Sequence, residues 1–145
     1  VKDFDGFAKQ ATRLLDKAKG ADLVLFPELF TLALFTTFDD WRNRPLTDLV
    51  KVDRYTKAYR DLFASEAKKR KQVIVAGSHL EKRKSGYLNV AYVYGPNGLV
   101  HMHEKTHIFP AESQWFTGEG DRMEAFDLPF ARVGLNVCYE SEIPE

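Results

Sequence analysis

Leu23-Val24-Leu25-Phe26-Pro27-Glu28 is the stretch from which the rest of the chain is read. Four consecutive apolar residues are too few for a helix, and Pro27, which has no N–H to give a sheet ladder, closes the run; residues 23–26 therefore read as a buried strand. Upstream, over residues 3–19, Phe4, Phe7, Ala8, Ala11, Leu14, Leu15 and Ala18 recur at three- and four-residue steps. That spacing predicts an amphipathic helix, with Gly20 as its stop. Downstream, residues 29–44 are rich in Phe and Thr without a clear period and read as a loop with one helical turn. Residues 48–71 resume a helical period through Val52, Tyr55, Tyr59, Leu62, Phe63 and Ala67, and their Lys and Arg gather at the C-terminal end, where the helix dipole favours cations. Val73-Ile74-Val75-Ala76-Gly77 is a second buried-type strand. Turn signals at residues 83–86 and 95–98 bracket residues 87–94, giving three strands joined by tight turns. Residues 123–127 and 132–137 form a further strand pair around Leu128-Pro129-Phe130. Helix, strand, helix, strand and then hairpin-linked strands describe an α/β class with a mixed sheet. There is no internal repeat and no linker. One helix pair covers one face of that sheet, and the far face is expected to lack cover within these residues.

The composition narrows the function. In 145 residues, 21 Lys and Arg face 21 Asp and Glu, a formal net charge of zero. Such a chain exerts no long-range pull on phosphate backbones or anionic bilayers, so neither nucleic acid nor membrane is an expected partner. The basic cluster at residues 68–71 reads as a solvated helix end. A hydrophobic fraction of 44% and an aromatic fraction of 13% argue for a packed core rather than disorder. The single cysteine, Cys138, cannot form an internal disulfide, and no apolar run approaches the ~20 residues of a membrane helix. The expectation is a cytoplasmic protein acting on a small molecule.

Three polar residues follow predicted strands: Glu28 after residues 23–26, Lys105 after residues 99–104 and Cys138 after residues 132–137. Ligands of open α/β sheets bind beyond the carboxyl ends of strands, where these three can converge. A thiol, a carboxylate and an ammonium form a working set for attack on a carbonyl. The thiolate is the nucleophile, the carboxylate shuttles its proton to a leaving amine, and the ammonium stabilises the developing oxyanion. Singly, each has a bland reading: a strand-end cysteine as a small hydrophobe, a glutamate at a helix start, a surface lysine.

Jointly they carry a resemblance. Leu25-Phe26-Pro27-Glu28-Leu29-Phe30, His103-Glu104-Lys105-Thr106-His107 and Val133-Gly134-Leu135-Asn136-Val137-Cys138-Tyr139-Glu140 resemble the three signature segments of the carbon-nitrogen hydrolase, or nitrilase, superfamily, in that family's order. The resemblance implies a Glu28–Lys105–Cys138 triad, a supporting second glutamate at Glu112, and the backbone N–H of Tyr139 as an oxyanion donor. It also implies an αββα sandwich, of which residues 1–145 would be an incomplete carbon-nitrogen hydrolase domain, truncated at both ends and chiefly after Glu145. The implied activity is hydrolysis of an amide-type bond by way of a cysteine thioester, with water as second substrate, no cofactor, no metal, and a homo-oligomeric assembly. Residues 105–115 and 138–145 look closest to a bacterial branch of which some members are fused to an acetyltransferase domain. Two positions depart from the common pattern, Glu140 where Asp is usual and Glu142 where Arg is usual, so a particular substrate specificity does not carry over.

Two other readings stay open. His101, His103 and His107 have spacings that could supply three zinc ligands, although Lys105 would bring a positive charge toward that metal. Alternatively, the triad residues could sit in a fragment that binds a small molecule without turning it over. The aromatic residues from Phe30 to Trp41, with Trp115 and Phe116, could line an apolar pocket, and core packing accounts for them equally well.

Overall fold

The computed structural model describes residues 1–115 and 118–144; Phe116, and with it part of the aromatic-pocket reading, lies outside the described residues. The first helix, α1 (Phe4–Lys17), is capped by the Asp3 side chain, which accepts from Gly6 N at 2.7 Å, and buries Phe7, Ala11 and Leu15. The predicted helix over residues 48–71 divides: Leu46–Tyr55 winds as 3-10 helix and only Thr56–Arg70, α2, is α-helical. The β-branched pair Val50 and Val52 disfavours the α form in the first part, and the Asp53 side chain ties its end to the sheet by accepting from Lys82 N. The loop over residues 29–44 contains two 3-10 segments, Phe30–Thr37 and Trp41–Asn43. Its aromatic residues go to the core, with Phe30 tilted against Phe7 and Phe26. Arg70, in the basic cluster, is spent on Glu66 and Asp16, both at 2.6 Å, and so pins α2 to α1.

Four strands form one mixed sheet in the order β1 (Leu23–Leu25), β2 (Val73–Arg83), β3 (Gly86–Gly95) and β4 (Gly98–Glu104). The β1–β2 pair is parallel and the next two pairs are antiparallel, so β4 runs in the same direction as β1. The second strand does not stop at Gly77 as expected. It continues to Arg83 because its polar residues find internal partners: Ser78 with Leu29 N, His79 with Thr31 and Thr56, Glu81 with the Tyr92 hydroxyl. Between Val75 and Ser78 the register slips, leaving Ala76 and Gly77 opposite the single residue Tyr92, a β-bulge.

Ile74, Ala76, Val90, Tyr92 and Tyr94 face the helices and join Phe7, Leu15, Tyr59 and Phe63 in the main core. Contrary to expectation, the opposite face is partly covered from within the chain. Val73, Val75 and Val93 pack on Leu128 of a small hairpin, β5 (Phe126–Leu128) and β6 (Ala131–Val133), with Leu135 alongside. The hairpin strands are shorter than predicted. Residues 134–137 leave the ladder because Leu135 turns onto this second core and Val137 N donates to Glu140. Helices, sheet and hairpin thus stack in three layers, with Leu25 still 67% exposed on the hairpin side. Among the described residues no helix is long and apolar enough to cross a membrane.

Candidate active site

Glu28 leaves β1 on a backbone that must cross β2, and the crossing depends on the bulge. Phe26 N donates to Val75 O at 2.9 Å, and Leu29, in the left-handed region at φ 51°, donates its N–H to Ser78 Oγ at 2.8 Å. Between these anchors the Pro27 carbonyl lies directly over Gly77, where a Cβ would collide with it. Gly77 has φ +70°, a conformation that glycine adopts without strain. The loop is thereby pressed onto the sheet, and Glu28 is delivered to the face opposite the helices.

Lys105 follows β4 directly. Its backbone N–H donates to Asn89 O at 2.9 Å and its carbonyl accepts from Gly120 N at 2.8 Å. The ammonium, fully buried, bridges two carboxylates, donating to Glu28 Oε1 and to Glu112 Oε2, both at 2.8 Å. Burial alone would depress its pKa, but the hydrogen bonds to Glu112 and Glu28 outweigh that and hold it above the ordinary lysine value. Glu112 sits in the 3-10 turn Pro110–Gln114 and is itself fixed by Phe109 N at 2.8 Å. Asn89 donates its amide to Glu28 Oε1 at 2.8 Å, so this one oxygen takes both the amide and the ammonium.

Cys138 is not at the end of a strand. It opens the 3-10 segment Cys138–Glu142 after irregular residues 134–137, and its φ of 52° puts a non-glycine residue in the left-handed region. It is exposed, and lines with Glu28 a cavity of about 140 Å³ walled by Pro27, Gly77, Ala91 and Val137. Desolvation first, and then the negative charge of Glu28, raise the thiol above its ordinary pKa while Lys105 pulls the other way. The shift favours the protonated thiol over the thiolate. A larger hollow of about 660 Å³ beside α2, with Arg54, Lys57, Arg60 and Tyr94 in its wall, contains none of these residues.

Glu28, Lys105 and Glu112 therefore meet in direct contact, and Cys138 shares a cavity with Glu28. Tyr139 follows Cys138 in the 3-10 segment, its ring edge-on to Phe109 at 5.6 Å. The three histidines do not come to a point. His101 stacks on Phe126 at 4.3 Å, His103 bonds Glu140 at 2.9 Å, and His107 Nδ1 lies 3.0 Å from Thr106 Oγ1. Among the described residues no group of three or more His, Cys, Asp or Glu is arranged to hold a metal ion. Sequence reasoning assigned no role to Asn89, Ser78 or Thr106; an asparagine inside the apolar run 87–94 was the available signal for the first.

Comparison with known proteins bears on the family and the fold. Residues 1–145 match the family model for carbon-nitrogen hydrolase. The chain is 30% identical, over all of its length, to the Bacillus subtilis protein named "Probable hydrolase YhcX", of which it covers 28%. It is 30% identical over 88% of its length to omega-amidase NIT2 of Bos taurus, covering 46% of that protein. It thus spans half or less of the length of these curated relatives. Among solved structures, XC1258 from Xanthomonas campestris, a CN-hydrolase superfamily protein, superimposes on 99% of the chain with a TM-score of 0.71 at 22% identity, the chain covering 51% of it. An amidase from Nesterenkonia matches 96% of the chain with a TM-score of 0.69 at 18% identity, the chain covering 50% of it. At those identities the structures bear on the fold alone.

Proposed function

We propose, on the premise that this chain belongs to the carbon-nitrogen hydrolase family, that its site hydrolyses an amide-type carbon–nitrogen bond through a thioester on Cys138. The observation that carries the reading is the buried Lys105 ammonium held at 2.8 Å from both Glu28 and Glu112, beside the cavity that Glu28 shares with Cys138.

In the first half-reaction Glu28 takes the Cys138 proton as the sulfur bonds to the carbonyl carbon, and the oxyanion is stabilised by the Lys105 ammonium and the Tyr139 N–H. The carbon–nitrogen bond then breaks, the amine or ammonia leaving with the proton from Glu28. In the second, Glu28 takes a proton from water as the hydroxide adds to the thioester, and the carbon–sulfur bond breaks with that proton passing from Glu28 to sulfur, which returns the acid, the Cys138 thiol and the Glu28 carboxylate. The upward shift of the thiol supports a base-dependent first step rather than a standing thiolate. Glu112, the second carboxylate on Lys105, keeps the ammonium charged and aimed. A homo-oligomer forms part of this proposal by analogy with the family.

Turnover of simple amides by the intact protein and by its Cys138→Ala variant tests the reading. The variant should lose at least about 10³-fold in kcat, and the unaltered protein, quenched during turnover, should carry the acyl mass on the peptide containing Cys138. Undiminished turnover by the variant would overturn it.

A further inference from the structure

Glu140 is fully buried, two positions beyond Cys138, and its carboxylate collects four donor atoms. Oε1 accepts from Thr106 N at 2.6 Å and Thr106 Oγ1 at 2.9 Å; Oε2 accepts from Val137 N at 2.5 Å; His103 Nε2 lies 2.9 Å from both oxygens. The two backbone donors are the informative ones. Val137 immediately precedes Cys138, and Thr106 immediately follows Lys105. One carboxylate therefore ties the neighbour of the nucleophile to the neighbour of the ammonium, residues 31 positions apart in the chain (137 − 106 = 31). Cys138 needs such a restraint, since its backbone sits in the left-handed region that a residue with a Cβ occupies only when its surroundings hold it there.

From this geometry we infer that Glu140 is a positioning residue that sets the distance between the Cys138 sulfur and the Lys105 ammonium by clamping Val137 to Thr106. The inference rests on the proposed roles of Cys138 and Lys105. The clamp requires a carboxylate. Each oxygen faces one obligatory N–H donor, Thr106 N on one side and Val137 N on the other, so a glutamine turned either way would place its own NH2 against one of them. A shortened carboxylate keeps the charge and both acceptors, and loses reach.

The test compares Glu140→Gln, Glu140→Asp and Cys138→Ala in the intact protein, reading kcat and KM for a simple amide together with the thermal midpoint. Misplacement of reacting groups by about 1 Å costs roughly 10²-fold. Glu140→Gln is therefore expected to lose about that factor in kcat with KM changed less than about threefold, and Glu140→Asp to recover about a tenth of the original kcat. Folded Glu140→Gln protein with unaltered kcat would overturn the inference, as would equal losses in the Gln and Asp variants that track only the folded fraction. If Glu140→Gln does not fold, Thr106→Val, which removes one donor from Oε1, should still lower kcat severalfold; unchanged kcat there overturns the inference equally. Substantial turnover by Cys138→Ala would instead refute the assignment of the nucleophile, a separate failure.

Discussion

Replacing Gly77 with alanine should damage stability and catalysis together, through one atom. At φ +70° an added Cβ meets the Pro27 carbonyl oxygen and lies 2.9 Å from Phe30 Cβ and 3.3 Å from Phe26 Cβ. The left-handed conformation costs alanine about 1–2 kcal/mol. A carbon–oxygen contact relaxes only near 3.3 Å, so the Pro27 peptide must lift by roughly 1 Å, and overpacking of this kind adds about 1–3 kcal/mol. The expected loss of stability is therefore about 2–5 kcal/mol. Lifting Pro27 also moves Glu28, the next residue, away from Asn89 and Lys105, each 2.8 Å from its Oε1. A shift of about 1 Å there should lower kcat/KM by roughly 10²-fold. Denaturant unfolding of the intact protein measures the first effect, and amide turnover under conditions where the variant is fully folded measures the second. A Gly77→Ala protein with the original midpoint and the original kcat/KM would refute the claim that the loop bearing Glu28 is pressed against the bulge.

Other consequences can be checked independently. Lys105→Met leaves Glu28 and Glu112 facing each other without the buried cation; breaking such a pair costs about 3–5 kcal/mol, so the unfolding midpoint should drop and amide turnover disappear, and an unchanged midpoint would contradict the described ion pairs. His79 is fully buried between Thr31 and Thr56, and burial lowers its pKa to about 4. Because the unfolded state, with a pKa near 6.5, takes up the proton first, stability should be full above about pH 6.5 and fall by about 3 kcal/mol as the pH drops to about 4. Unfolding curves across that range should show the slope, and His79→Gln should flatten it.

The legible part of the sequence was the part written in local patterns. The three- and four-residue spacing of Phe4, Phe7, Ala11 and Leu15 specifies α1 within two residues at each end, and the turn signals at residues 83–86 and 95–98 place both hairpin turns. Patterns misled where distant partners override propensity. The polar residues Ser78, His79 and Glu81 look like the end of a strand until Leu29, Thr31, Thr56 and Tyr92 supply their hydrogen bonds. Residues 134–137 read as the end of a strand, but the ladder stops at Val133 and Val137 gives its N–H to Glu140 instead.

The same division holds for the site. The residue types Glu28, Lys105 and Cys138, each within a recognisable segment, were determined by the sequence alone, as was the family, because reactive side chains and their immediate neighbours are local properties. Glu28 and Lys105 are 77 positions apart, and Asn89 is 61 from Glu28. Their meeting on a single carboxylate oxygen depends on the bulge at Gly77, the parallel run of β1 and β4 and the fold of the loop carrying Glu112. Only the tertiary structure decides that, since hydrogen bonds of 2.8 Å between such distant residues come from the packing of the whole sheet, and no short stretch of chain contains them.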